Sequence, residues 1–157
     1  MIPTSLKNSL LAAVLLTMLL PISSQAETAR VAAMEDWAVF RSENPSECWA
    51  ASNPTTSEVY RDGKIVSVRR GLIQLFTTYK PSKGISGQIS FTGGYSLAPG
   101  KKLSVQVGLK SFKLNTNGGE WAWPLNKSVD AKIRSAFQEG QSVTITAQSQ
   151  KGTVTKD

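Results

Sequence analysis

Histidine is absent from this 157-residue chain, and cysteine occurs once. The first absence removes Ser-His-Asp and Cys-His catalysis, imidazole general-base chemistry and nearly all zinc sites. The second leaves Cys48 as a buried free thiol, one half of an intermolecular bridge, or one half of a pair whose partner the sequence lacks. With no histidine to activate it, a catalytic thiol is the weakest reading. Acidic residues are also few, 11 against 18 basic ones. Only Glu35-Asp36 are adjacent, and neighbours on a strand point to opposite faces. A carboxylate-dependent hydrolase would need two acids brought together from distant positions, which makes it a distant alternative. Gly84-Ile85-Ser86-Gly87 has no helix after it and is not a phosphate loop. No enzyme and no cofactor or metal is expected.

Long hydrophobic runs are absent after the first twenty residues. The beginning reads as a secretory signal peptide, residues 1–26. Lys7 is the positive start, Leu10 to Leu20 is apolar except for Thr17, and Ser24-Gln25-Ala26 offers small residues for cleavage after Ala26. The apolar stretch would reach only ~20 Å of a ~30 Å hydrocarbon core, too short for an anchor. The expected location is therefore the periplasm, the cell surface or the exterior, with no transmembrane helix in the mature chain.

Residues 27–157 suit one domain. The formal net charge is +7, and only Lys7 of the cationic residues falls before residue 27. Such an excess suits an anionic partner, and it also simply keeps a small protein soluble. The basic residues are scattered, with Arg69-Arg70 and Lys101-Lys102 the only adjacent pairs, so no nucleic-acid footprint emerges.

Residues 27–36 read as a short mobile arm. From Trp37 a period of two takes over. Trp37 to Phe40 and Cys48 to Ala51 form strands around the turn-rich Ser42 to Ser46, and Asp62-Gly63 signals a hairpin. Residues 64–79 are β-prone, with Gly71 dividing two strands or marking a bulge, and Leu72 to Tyr79 is apolar on both faces, as in a central strand. Ile89 and Phe91, Leu103, Val105 and Val107, Phe112 and Leu114, then Val143, Ile145 and Ala147 alternate as inward positions. One helix follows Ser128 as its cap, with Asp130 in the first turn, Val129, Ile133, Ala136 and Phe137 on one face, and Gly140 as a left-handed stop. The sum is an all-β, β-sandwich-like antiparallel fold of seven to nine strands with one short α-helix near the C-terminus. Thr153-Val154-Thr155 begins a last strand that stops short at Asp157, with its backbone groups expected to lie unpaired. That shortness suggests a domain that continues beyond residue 157.

Trp121 and Trp123 stand two apart, so their rings share one face of a strand. Co-facial indoles can stack on a sugar ring or sit at a membrane interface, but tryptophan is highly buried on average, and core packing weighs more. Trp37 and Trp49 read as core. Gly93-Gly94-Tyr95 with Lys101-Lys102 could make a loop that meets an anionic surface, against the plainer reading of a glycine turn with solvated lysines. The candidate binding residues are thus Trp121, Trp123, Tyr95, Lys101 and Lys102.

The leading signal peptide, the Trp-x-Val strand of Trp37 and Val39, Cys48, Phe112, and the glycine-rich turn before Asp130-Ala131-Lys132-Ile133 together resemble the invasion-associated locus B family of bacterial exported proteins. The resemblance runs from about Trp37 to Thr155. It implies a periplasmic or surface-associated β-sandwich-like protein, linked by name to host-cell invasion, and carries over no catalytic residue. Typical members hold paired cysteines in the early strands and near the glycine turn. Here only Cys48 remains, and Asn117-Gly118-Gly119 has none, as in a cysteine-poor branch. The expected function is a non-enzymatic envelope accessory protein whose partner is an anionic envelope component or an envelope protein. The alternative is a surface binding module for an anionic glycan or lipid. The oligomeric state is left open.

Overall fold

The computed structural model describes residues 27–157. The signal-peptide reading of residues 1–26 lies outside them. Among the described residues, twelve strands and one α-helix form a mostly antiparallel sheet: β1 (Thr28–Met34), β2 (Trp37–Ser42), β3 (Glu47–Ser52), β4 (Glu58–Arg61), β5 (Lys64–Ile65), β6 (Gln74–Lys80), β7 (Ile85–Thr92), β8 (Leu103–Val107), β9 (Lys110–Asn115), β10 (Trp121–Pro124), α1 (Lys127–Glu139), β11 (Val143–Gln148) and β12 (Val154–Lys156). No described helix is long and apolar enough to cross a membrane.

The strands run as one continuous sheet, β1-β2-β3-β6-β7-β10-β9-β8-β11-β12-β4-β5, rather than as two separate ones. Its corner is β10. Trp121 and Ala122 pair with Thr92 and Phe91 of β7, whereas Trp123 and Pro124 pair with Asn115 and Leu114 of β9. The two halves share one core, with Leu75, Ile89, Phe91 and Ala122 from one and Leu103, Val105, Leu114 and Ile145 from the other. Every one of these alternates with outward residues, as a one-sided sheet requires.

Helix α1 adds Ile133 and Ala136 to that core, and both are essentially inaccessible to solvent. The cap is Asn126, not Ser128: its side-chain oxygen accepts from the Val129 N–H at 3.1 Å, and Ser128 lies inside the first turn. Gly140 is extended (φ −98°, ψ 146°), not left-handed. Its lack of a side chain serves a close approach instead, because a Cβ there would come within 2.4 Å of Val107 Cγ1. One turn apart, Asp130 and Arg134 tie the helix to β7. The buried Asp130 carboxylate accepts from the Ile89 N–H at 2.7 Å, and Arg134 donates to the Gly87 carbonyl. The short β10 pairs only with Phe91 and Thr92 of β7, so a side chain takes the place of a strand further along.

Several expectations change. Residues 28–34 are not an arm but strand β1, paired with β2 through a tight turn at Glu35-Asp36. All seven of its residues are exposed, so backbone pairing alone holds it, and no hydrophobic pattern announced it. In the stretch from Lys64 to Tyr79, the first strand is only two residues long and Leu72 is exposed in a loop, outside β6. The last strand is not unpaired: β12 lies between β11 and β4 and is bonded to both. The Asp62-Gly63 turn is as expected, with φ of +50° and +74°, the mirror-image geometry that suits a two-residue hairpin.

Gly94 sits at φ +69°, and its carbonyl accepts from the Gly71 N–H at 2.9 Å. A Cβ on Gly94 would lie 2.6 Å from the Gly71 backbone. Gly94→Ala therefore forces the two loops apart and is expected to cost about 2–3 kcal/mol through strain and overpacking. Gly63→Ala, at φ +74° with nothing within 4 Å of the new Cβ, should cost less, about 1 kcal/mol. Urea unfolding of the two variants measures the difference.

Candidate functional site on the outer sheet face

The inward residues of the β1–β10 half are fixed by Phe91, Ile89 and Leu75. Directly opposed residues in an antiparallel pair share a face, so the register also fixes the outward ones. Phe40 opposes Trp49, Trp49 opposes Thr78, and Thr78 opposes Gln88. One step along, Ala51 opposes Phe76, and Phe76 opposes Ser90. Trp121 opposes Thr92. The face turned away from the helix therefore carries Phe40, Trp49, Phe76 and Trp121 in a diagonal row.

These rings touch in pairs. Phe40 and Trp49 are stacked, with centroids 5.6 Å apart and planes at 15°. Phe76 and Trp121 lie 5.5 Å apart, tilted by 38°. Both separations are in the favourable range for aromatic pairs. Beneath the second pair, Ser90 and Thr92 of β7 are only 8% and 2% exposed although they face outward. The rings roof them. Trp49 is thus an outer-face residue and not core, whereas Trp37 does pack inward, 6.2 Å from Phe137 of the helix.

Trp121 is 38% exposed and Trp123 half-buried. They flank the fully buried Ala122, which puts them on the outer face together, but their backbones belong to the two different halves of the sheet. A cation stands at one end of the row, and another shares the outer face beyond Trp123 on the next half of the sheet. Arg30 of β1 opposes Phe40, and Lys113, two residues before Asn115, shares the outer face with Trp123 because Asn115 opposes Trp123. Both are exposed. Lys102 precedes Leu103, whose partner Leu114 is next to Asn115, so Lys102 is at the same edge. Lys101 closes a turn with its N–H on the Ala98 carbonyl and is solvated.

Tyr95 does not join them. Its hydroxyl shares a 2.7 Å hydrogen bond with the Thr155 hydroxyl, and the Arg70 guanidinium stands 5.0 Å from its ring centroid. Burial pushes the Tyr95 hydroxyl above the ordinary tyrosine range, against the Thr155 hydrogen bond and the Arg70 charge, which pull the other way. The structure thus separates the expected loop: Tyr95 faces inward, and the lysines stay outside. Leu97, from the same loop, is fully buried.

Sequence reasoning found Trp121 and Trp123 but missed Phe40, Trp49 and Phe76, whose alternation carries no sign of which face is covered. Cys48 is a free thiol on β3 between Arg41 and Tyr79. Among the described residues no group of three His, Cys, Asp or Glu side chains gathers as metal ligands. Comparison with protein families, with curated proteins and with solved structures found no match.

Proposed function

We propose that this chain is an exported, non-enzymatic accessory protein of the bacterial envelope whose outer sheet face binds an anionic glycan. The observation that carries the reading is the half-buried aromatic row Phe40, Trp49, Phe76 and Trp121 on the outer face, with Arg30 opposite Phe40 and Lys113 on the face that Trp123 shares. Ring faces laid against a sheet offer flat apolar surface to sugar rings, and cations on the same face suit carboxylate or sulfate groups along a chain. Half-buried, paired rings do not project as a wedge into acyl chains, which favours a glycan over a lipid. Export is supported by the signal-peptide pattern of residues 1–26, and an envelope role by the resemblance to the invasion-associated locus B family. The lack of histidine in the sequence supports a binding role over catalysis.

The test uses a uronic-acid polysaccharide, alginate, against neutral dextran. Alginate should quench tryptophan fluorescence saturably and dextran should not. Trp121→Ala should weaken alginate binding about tenfold, by ~1–1.5 kcal/mol, with little change in Tm because the ring is partly exposed. Lys113→Glu should weaken it further at low salt and less so at high salt. An alginate affinity unchanged in Trp121→Ala, or equal binding of dextran, sinks the reading.

A further inference from the structure

A concavity lies near the β12-β4-β5 end of the sheet, with no residue of β2, β3 or β6 in its lining. It is an open cavity of about 490 Å³ between β4, the β11–β12 turn and the loop that carries Val68 to Arg70. That volume lies within the usual range for small-molecule sites, roughly 300–1,000 Å³. The Tyr95 ring, Val59 and Val68 supply apolar wall, and the buried Thr153 and Thr155 lie beneath.

The charge around it is one-sided. Arg61, Arg69 and Lys151 line the cavity and are exposed, and none makes an ion pair or side-chain hydrogen bond among the described residues. Arg70 also lines it, but its guanidinium is taken up by Asp157 at 2.6 and 2.7 Å and by the Gly93 carbonyl at 2.9 Å. Glu120 is the one acidic residue of the lining. Three unpaired cations against one carboxylate leave a net excess of two positive charges facing a concave, partly apolar wall.

Like charges gathered in a cleft repel one another, and low-dielectric walls focus their field onto whatever enters. The group that relieves this best is a dianion. A phosphomonoester carries about −1.5 to −2 charges near neutral pH, and its oxygens match the forked donors of arginine. A single carboxylate would neutralise only part of the excess. The apolar wall requires an organic portion beside the phosphate.

We propose that this cavity binds the phosphomonoester group of a small organic ligand, with Arg61, Arg69 and Lys151 as its anion contacts and the Tyr95 and Val68 wall taking the organic part. The phosphomonoester could arrive on a soluble metabolite or on a lipid headgroup, and the measurement separates the two. Isothermal titration of the full mature chain is made with glycerol phosphate, with glycerol, and with phosphatidylcholine vesicles with and without phosphatidic acid.

Saturable binding of glycerol phosphate but not of glycerol supports the site with a soluble source. Binding only to vesicles that contain phosphatidic acid supports it with a lipid source. In either case Arg69→Glu with Lys151→Glu should weaken binding tenfold or more while leaving Tm unchanged, since both side chains are exposed and unpaired. Arg61→Ala, a milder change, should weaken it several-fold. No binding to any probe, or binding unaffected by the double charge reversal in a folded protein, overturns the proposal.

Discussion

Asp157→Ala is expected to destabilise the domain by about 3–5 kcal/mol, a large part of the ~5–15 kcal/mol that holds a typical domain together. The side chains of Arg70 and Asp157 are 6% and 2% exposed, and two parallel hydrogen bonds of 2.6 and 2.7 Å join them. Arg70 also donates to the Gly93 carbonyl and to Ser57, and it faces the Tyr95 ring. Three chain segments besides its own therefore converge on one guanidinium. Removing the carboxylate leaves that cation buried and uncompensated, and the penalty comes mainly from the orphaned charge rather than from the worth of the pair. Two further variants separate those terms. Arg70→Met should cost a similar amount, because it strands the Asp157 carboxylate. Arg70→Met combined with Asp157→Leu should recover much of the loss, because no buried charge remains. Urea unfolding of the three variants closes a double-mutant cycle. A loss below about 1 kcal/mol in both single variants would mean that water reaches the pair and that it behaves like a surface salt bridge.

This cluster also shows where reading the chain residue by residue stops. Arg70 and Asp157 are far apart in sequence, and neither has a neighbour that marks it as buried. Elements whose burial is written locally were legible. Leu103, Val105 and Val107 alternate and are all inward, as are Ile145 and Ala147, and the helix face of Ile133 and Ala136 follows its period. The helix boundary was off by two residues because Asn126 and Ser128 are both competent caps, and the choice falls to the turn leaving β10. Strand β1 was missed since Thr28–Met34 buries nothing and gains only backbone bonds. The last strand was misjudged for a related reason: β4, which covers its free side, lies almost a hundred residues earlier. The aromatic row was the hardest to see. Phe40, Trp49, Phe76 and Trp121 come from four strands, and only the register of β2, β3, β6, β7 and β10 makes them neighbours. A sequence pattern states that two residues share a face; it does not state which face the helix covers.

Phe91→Ala should be the most damaging single truncation in the core, again at about 3–5 kcal/mol. Phe91 is 2% exposed on β7 and opposes Leu75 on one side and Ala122 on the other. Helix α1 packs chiefly on this strand, and β10, where the sheet changes partners, begins at it. Deleting the ring therefore removes a contact common to both halves of the sheet and the helix. Relaxation does not fill the cavity, because the neighbours that would have to move are pinned. Asp130 and Arg134 clamp the helix to β7 at Ile89 and Gly87, and Gly140 already lies against Val107. Without collapse, the variant bears both the lost transfer free energy and the cost of the void. The expected drop in Tm is on the order of 10–20 °C, with an unchanged m-value in urea. Leu109→Ala is the control: Leu109 is fully exposed in the β8–β9 turn, and its truncation should stay within about 0.5 kcal/mol of the parent. A Phe91→Ala loss no larger than that of Leu109→Ala would show that the two halves of the sheet do not depend on a shared core at β7.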